Sequence, residues 1–381
     1  MSKNTITLAI TLFGPAVIAA GTGPYTEAGI SGYINPQSRR HANPIGESNA
    51  TVNPVFRCWA TAVVAYNPAP GVDTQWTNPN KALGPATGDS VFGVVSLGDL
   101  PASEIELGAS PGQIILQFGD PSDPNDANAI RDVNGYDFAV FENGFVSLYS
   151  THGGSVTGQM HAEFAYVEVS SNGADFARFA SVSLTPAPVG PYGTLEISNI
   201  YNLAGKHPNA NGICTGTPFD LQEIAGDPNV TSGTVDINNI RYVRIVDVPG
   251  SGDFYDRATN HVDSSTWPNW APYPNDHPVY DAWLTWGSGG FDLEAVGVLR
   301  DQQHSADINL DGRVDMFDFA LLASAWKSRF GEQHWIARSD LAEPKDLFVD
   351  AHDMAALATQ WLEVEHWRRE TQTSESEIGE W

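Results

Sequence analysis

Residues 165–179 read AYVEVSSNGADFARF, and their pattern decides the fold class. Ala165, Val167 and Val169 alternate with Tyr166 and Glu168, the period of two that sends one row of side chains into a core and the other into water. Asn172-Gly173 behind them is a type I′ turn signal, because both residues tolerate positive φ. The stretch predicts a strand, a tight turn and a second strand over 179–184. Further strands are expected at 113–118 (QIILQF), 136–141 (YDFAVF), 240–248 (IRYVRIVDV) and 292–299 (DLEAVGVL), set apart by clusters of Gly, Pro, Asn and Asp. Helical periodicity is nearly absent from 24 to 300. The expected class is therefore mainly β, an antiparallel sandwich rather than a βαβ fold. Long connections at 119–135, 186–239 and 249–290 are where a binding site is expected.

Composition narrows the partners. The 381 residues carry 46 acidic and 19 basic side chains, a net charge of −27. Such a surface repels phosphates, which excludes nucleic acid as a partner and disfavours anionic lipid. With 41% hydrophobic and 10% aromatic residues the chain is too apolar for disorder. Lys3 followed by apolar residues 5–20 and small Ala19, Ala20 and Gly21 has the layout of a secretory leader over 1–20, against the alternatives of a buried first strand or an uncleaved anchor. No other stretch approaches the roughly 18 apolar residues of a membrane span. The expected location is secreted or cell-surface, without a membrane span once the leader is removed. There, Cys58 and Cys214 form either one disulfide or two separate thiols.

Residues 301–305 (DQQHS) are a polar linker, and a duplication follows. Asp311, Val314, Asp315, Asp318, Leu322, Ala323 and Trp326 recur 35 residues on as Asp346, Val349, Asp350, Asp353, Leu357, Ala358 and Trp361. Each acidic loop leads into an apolar stripe with helical spacing, Phe319-Leu322-Ala323-Trp326 and Met354-Leu357-Ala358-Trp361. Two helices packed through these stripes are expected. In the first loop Asp307, Asn309, Asp311, Asp315 and Asp318 stand at positions 1, 3, 5, 9 and 12, with the carbonyl of Arg313 at position 7 and Gly312 at the tight turn. A hard cation wants six to eight oxygens, and a chain wrapping it at alternate residues supplies them. Ca²⁺ is the expected cofactor.

These residues resemble a type I dockerin, the paired calcium-loop and helix module that docks on a cohesin domain. The resemblance implies a small α-helical domain over 306–365, a possible cohesin-like or other surface-protein partner, and a polar tail over 366–381. The second copy departs from the pattern: Ala342, Pro344 and Leu347 stand where Asp, Asn and Gly are expected. With Asp340 as first ligand its loop is two residues longer, completed by Asp346, Asp350 and Asp353.

Residues 166–179 and 241–298 resemble discoidin-like or galactose-binding jelly rolls. More widely, 24–300 resembles bacterial exported cell-surface proteins that share runs such as TQWTNPNKALGPATGD, FAVFENGF, YNLAGKHPNANGI and DAWLTWGSGGFDLEAVGVL. The resemblance implies a jelly-roll-like surface or binding domain over 24–300. Trp267, Trp270 and Tyr273, in a Pro-rich loop, are the candidate sugar-stacking residues for a glycan ligand. Trp283 and Trp286, just before a strand, are expected in the core. Asp137, Glu142, Asp292 and Glu294 are carboxylates suited to acid–base work. Asp292 with Glu294, or Asp120, Asp123 and Asp126, could hold a second cation, but simple turn capping is the leading expectation. His161, His207, His261 and His277 are expected on the surface or in loops. The leading expectation is a non-catalytic exported binding or adhesion protein held by a calcium-dependent module. The alternatives are a polysaccharide hydrolase or lyase and a surface protein that captures small nutrients.

Overall fold

The strand Asp292–Leu299 (DLEAVGVL) is buried along its whole length and pairs on both edges. Phe138–Glu142 runs antiparallel along one edge, and Phe56–Trp59 and Val95–Ser96 share the other. Thr215–Phe219 and then Ile30–Ser31 continue this sheet outward from Phe138–Glu142. A second antiparallel sheet runs in the order Ala177–Arg178, Phe164–Ser170, Tyr242–Val248, Gln113–Gln117 and Ala62–Asn67. The two sheets share one core: Phe138, Val140, Phe219, Leu293, Val296 and Val298 from the first meet Ile114, Leu116, Val167, Val169, Val243 and Ile245 from the second. Alternate residues of both sheets fill the gap between them. The chain is thus mainly β, 24% strand and 15% helix, with antiparallel sheets.

This computed structural model describes residues 23–123, 126–256, 277–330, 332 and 334–369. The expected leader over 1–20, the aromatic residues Trp267, Trp270 and Tyr273, His261, and residues 370–381 of the expected tail lie outside them.

Two local expectations are corrected. Along Phe164–Ser170 both faces are buried, not one. Glu168 is held between Arg178, at 2.6 Å, and Arg244, while Tyr166 lies under Met160, Leu195, Ile200 and Leu203. Long connections have folded over the outer face of the sheet, which a period of two cannot reveal. The hairpin also turns more widely than Asn172-Gly173 implies, since pairing ends at Val169↔Ala177. Asn172 instead closes an Asx turn, its Oδ1 accepting from the amides of Ala174 and Asp175, both at 2.9 Å, and only Gly173 takes positive φ (77°).

At the other end of the chain, helices Met316–Ser324 and Ala351–Thr359 close a separate small core of Ala306, Ile308, Val314, Leu322, Ala325, Leu341, Val349 and Leu357. Only one member of each predicted stripe, Leu322 and Leu357, is buried. Ala323, Trp326, Met354, Ala358 and Trp361 face solvent, so the stripes do not pack on each other as expected. Residues 301–305 are likewise no free linker. The amides of Gln303 and His304 donate to Glu365 at 3.1 and 2.9 Å, and Arg300 stacks over Trp367. Leu310, in the first acidic loop, is buried among Val55 and the sheet residues Phe56, Phe141 and Leu299.

Candidate functional site

Two places gather functional side chains. In the first acidic loop, the Asp307 carboxylate accepts from the amides of Asp311 (3.1 Å) and Gly312 (2.7 Å). Asp318, on the first helical turn, reaches back to the amides of Ile308 (2.8 Å), Asn309 (3.2 Å) and Asp315 (2.8 Å). Asp315 caps the helix through the amide of Phe317. Leu310 and Gly312 take positive φ, 57° and 90°, which bends the loop around its own carboxylates. Burial, together with the neighbouring charges of Asp318 and Asp311, pushes Asp307 well above the usual carboxylate range. Burial raises Asp311, and burial takes Asp318 to about 7.

The second loop repeats this scheme two residues longer. Asp340 accepts from the amide of Leu347 (3.1 Å), whose φ of 60° stands in for the missing glycine. Asp353 accepts from Leu341 (2.7 Å), Ala342 (2.9 Å) and Asp350 (2.7 Å). Asp346 accepts from the amide of Phe348 and Asp350 from that of His352. Asp340 Oδ1 is sealed from solvent without a hydrogen-bond partner.

A basic side chain attends each loop. Lys345 donates to the main-chain carbonyl of Asp340. In the first loop Arg39, from the β unit, bridges Asp311 at 3.1 Å and Asp315 at 2.8 Å, lies 4.8 Å from the Phe317 ring and accepts from Asn309 through its carbonyl. Sequence offered no signal for this contact, since 270 residues separate Arg39 from Asn309. Replacing Arg39 by Ala is expected to loosen the C-terminal unit by about 1–2 kcal/mol. Limited proteolysis within 301–305 should then be roughly tenfold faster; an unchanged cleavage rate would show that Leu310 and Trp367 hold the unit unaided.

The second place is a cleft of about 700 Å³ in the β unit, lined among others by Asn143, His161, Glu163, Tyr192, Trp286 and Asp292. Trp286 and Tyr192 are each 68% exposed. Trp286 is therefore not the core residue expected from its place before a strand, whereas Trp283 is half-buried and donates to the Leu100 carbonyl at 3.0 Å. At the floor, Glu163 accepts from the Thr285 hydroxyl and from the amide of Gly290 (3.0 Å), and Asp292 accepts from Asn143 at 2.8 Å. Burial raises Glu163 well above the usual range and takes Asp292 to about 7. Burial also holds His161 below the ordinary imidazole value. Glu163 carried no sequence signal: it precedes the strand as one carboxylate among 46 acidic residues.

The remaining candidates are dispersed. Glu294 accepts from the Thr87 amide at 2.7 Å and from Asn209, so it does not share a site with Asp292. Glu142 is buried and accepts from Gly144. Asp120 and Asp126 cap turns at Ser122 and Asn128, the turn-forming alternative. Among the described residues one trio of carboxylates, Asp132, Asp137 and Asp220, has oxygens all within 4.8 Å of one another. Its buried member Asp137 is already matched by the amides of Val133 (2.8 Å) and Leu221 (2.6 Å). His207 is buried rather than superficial, and burial with the nearby Lys206 charge lowers it to about 3. Cys58, partly buried, and Cys214, buried, stand as free thiols. No helix among the described residues is long and apolar enough to cross a membrane. Comparison with protein-family models, curated proteins and solved structures yields no match.

Proposed function

We propose that this chain is an exported, surface-held glycan-binding protein: its β unit takes a sugar chain in the Trp286 cleft, and its C-terminal unit is a calcium-loaded docking module of the dockerin type. The observation that carries the reading is the repetition of one hydrogen-bond scheme in both acidic loops, despite their different lengths. The donor set fits the ion. Asp307, Asn309, Asp311, Asp315, Asp318 and the Arg313 carbonyl in one loop, and Asp340, Asp346, Asp350 and Asp353 in the other, offer hard oxygens, and the unpartnered Asp340 Oδ1 is an oxygen in want of a cation. Bound calcium supplies positive charge that relieves the repulsion among these carboxylates and fixes the two helices. Their exposed Trp326, Met354 and Trp361 suit a cohesin-like protein partner.

The jelly-roll reading of the β unit rests on its two antiparallel sheets and shared core. For the glycan, Trp286 and Tyr192 offer flat faces at the rim, and Asn143 and Ser288 offer polar atoms for hydroxyl groups. Trp286→Ala is expected to weaken glycan binding at least tenfold, the order of one lost stacking face. Array binding that is indifferent to this change would remove the cleft from the reading. Two buried carboxylates, Glu163 and Asp292, in the same cleft favour a second reading, a hydrolase or lyase. Turnover of a polysaccharide panel, abolished in Glu163→Gln, would replace the binder with the enzyme.

A further inference from the structure

Beneath the cleft floor lies an arrangement that neither sugar binding nor the C-terminal loops account for. Asp99 accepts from the amide of Thr285 at 3.0 Å through Oδ2, Asp247 from the amide of Phe291 at 2.8 Å through Oδ1, and Asp292 from Asn143 through Oδ2. In each carboxylate the second oxygen, Asp99 Oδ1, Asp247 Oδ2 and Asp292 Oδ1, is sealed from solvent and accepts no hydrogen bond of normal geometry. Asp99 is 8%, Asp247 0% and Asp292 1% exposed. The Ser96 hydroxyl, beside Asp292 in the sheet, donates to the Gly289 carbonyl at 2.9 Å, and the Ser96 and Ser288 side chains lie close enough to lower Asp292. A buried acceptor without a donor costs roughly 1–3 kcal/mol, more when charged, so three in one region call for an ion or for protons.

The fold brings them together. Asp247 is next to last in an internal strand of one sheet, Asp292 begins the central strand of the other, and Asp99 follows the short strand paired with Asp292. Thr285 links Asp99 to Glu163, since its amide donates to one and its hydroxyl to the other, and Gly290-Phe291 donates to Glu163 and Asp247. The charges felt by Asp247 are those of Asp99 and Asp292; those felt by Glu163 are Asp292, Glu142 and Asp281. The Lys81 charge acts in the opposite direction on Asp292. Anions gathered in this way are electrostatically incomplete.

We propose that Asp99, Asp247 and Asp292, with Glu163 on the cleft side, hold one calcium-class divalent cation under the floor of the cleft. Three carboxylates and neighbouring main-chain oxygens match the all-oxygen shell of such an ion. No three of these four carboxylates have oxygens all within 4.8 Å of one another, so the ion would be held by fewer direct carboxylate contacts, with the others reaching it through water. The cation would fix Thr285, Gly289 and Gly290, and with them the loop that presents Trp286 to the cleft.

The test is the number of calcium ions retained per full-length chain after equilibrium dialysis. Asp247→Asn and Asp99→Asn should each retain one fewer than the unaltered protein, Asp307→Asn should lose a different ion, and the double change Asp247→Asn with Asp307→Asn should lose both. Should Asp247→Asn misfold, terbium emission sensitised by Trp283 and Trp286 gives a second readout: in the Asp307→Asn background it should drop to the level of the second loop alone when Asp99→Asn is added. Full calcium retention in both Asp247→Asn and Asp99→Asn, or equal terbium emission from Asp307→Asn with and without Asp99→Asn, overturns the site and leaves shared protons as the neutralising device. A loss confined to Asp307→Asn defeats this inference alone, and one confined to Asp247→Asn and Asp99→Asn defeats the loop assignment alone.

Discussion

Calcium added to the chelated protein is expected to stabilise the C-terminal unit by about 2.7 kcal/mol at a hundredfold excess over the dissociation constant. Asp318→Asn is expected to abolish most of that response. Asp318 accepts three amide donors from the first loop and its helix start, and burial holds its carboxyl near neutrality, at about 7. An ion that prefers the ionised carboxylate binds with release of the proton held there, so calcium affinity should rise with pH up to about 7. The asparagine keeps one acceptor oxygen, enough for the amides of Ile308 and Asn309, but sets an NH2 group against the Asp315 amide; the calcium-free variant measures that capping loss, about 1 kcal/mol, and the calcium response is read against it. Circular dichroism and protease resistance with chelator, then with calcium, are the measurements. Identical traces in the two conditions would end the docking-module reading. Relief of the Arg39 bridge adds a finer expectation: Arg39→Ala frees Asp311 and Asp315 and should bind calcium several-fold more tightly.

The second large effect is a dependence on pH in the chelated β unit. Asp99 and Asp292 have carboxyls raised by burial to about 7, against roughly 3.9 in an unfolded chain. The folded protein therefore keeps protons that the unfolded chain releases across this interval. Stability is highest below about pH 4 and falls as pH rises toward about 7, on the order of 4 kcal/mol for one such group. Asp137, raised by burial to about 8, carries the decline slightly further. Chemical denaturation at several pH values should show this slope, and Asp292→Asn should reduce it and raise stability at about pH 8. Calcium should flatten the slope as well if the ion replaces the protons. Stability that instead rises from pH 4 to 8 without calcium would mean that these carboxylates are ionised and matched by partners.

Sequence alone was sufficient wherever the cause is local. Asp292–Leu299 is a strand over the range its apolar run indicates, and Gln113–Gln117 differs from its predicted stretch by one residue. The spacing of Asp307 to Asp318 places each side chain against amides a few residues away, so the loop geometry was legible, as was the shifted first position at Asp340. Phe56–Trp59, Ala62–Asn67 and Thr215–Phe219 escaped the reading, because their place depends on partners far along the chain.

Only the tertiary structure decided which face of a strand is wet and which carboxylates are neighbours. Tyr166 and Glu168 follow the pattern of an exposed row, yet distant segments cover them. Asp99, Glu163, Asp247 and Asp292 span nearly two hundred residues and converge through sheet pairing and the Thr285–Phe291 loop. Arg39 meets the first acidic loop only because Leu310 is buried against the sheets. A side chain's period and spacing set its local geometry, whereas its charge state depends on what the rest of the chain removes from water around it.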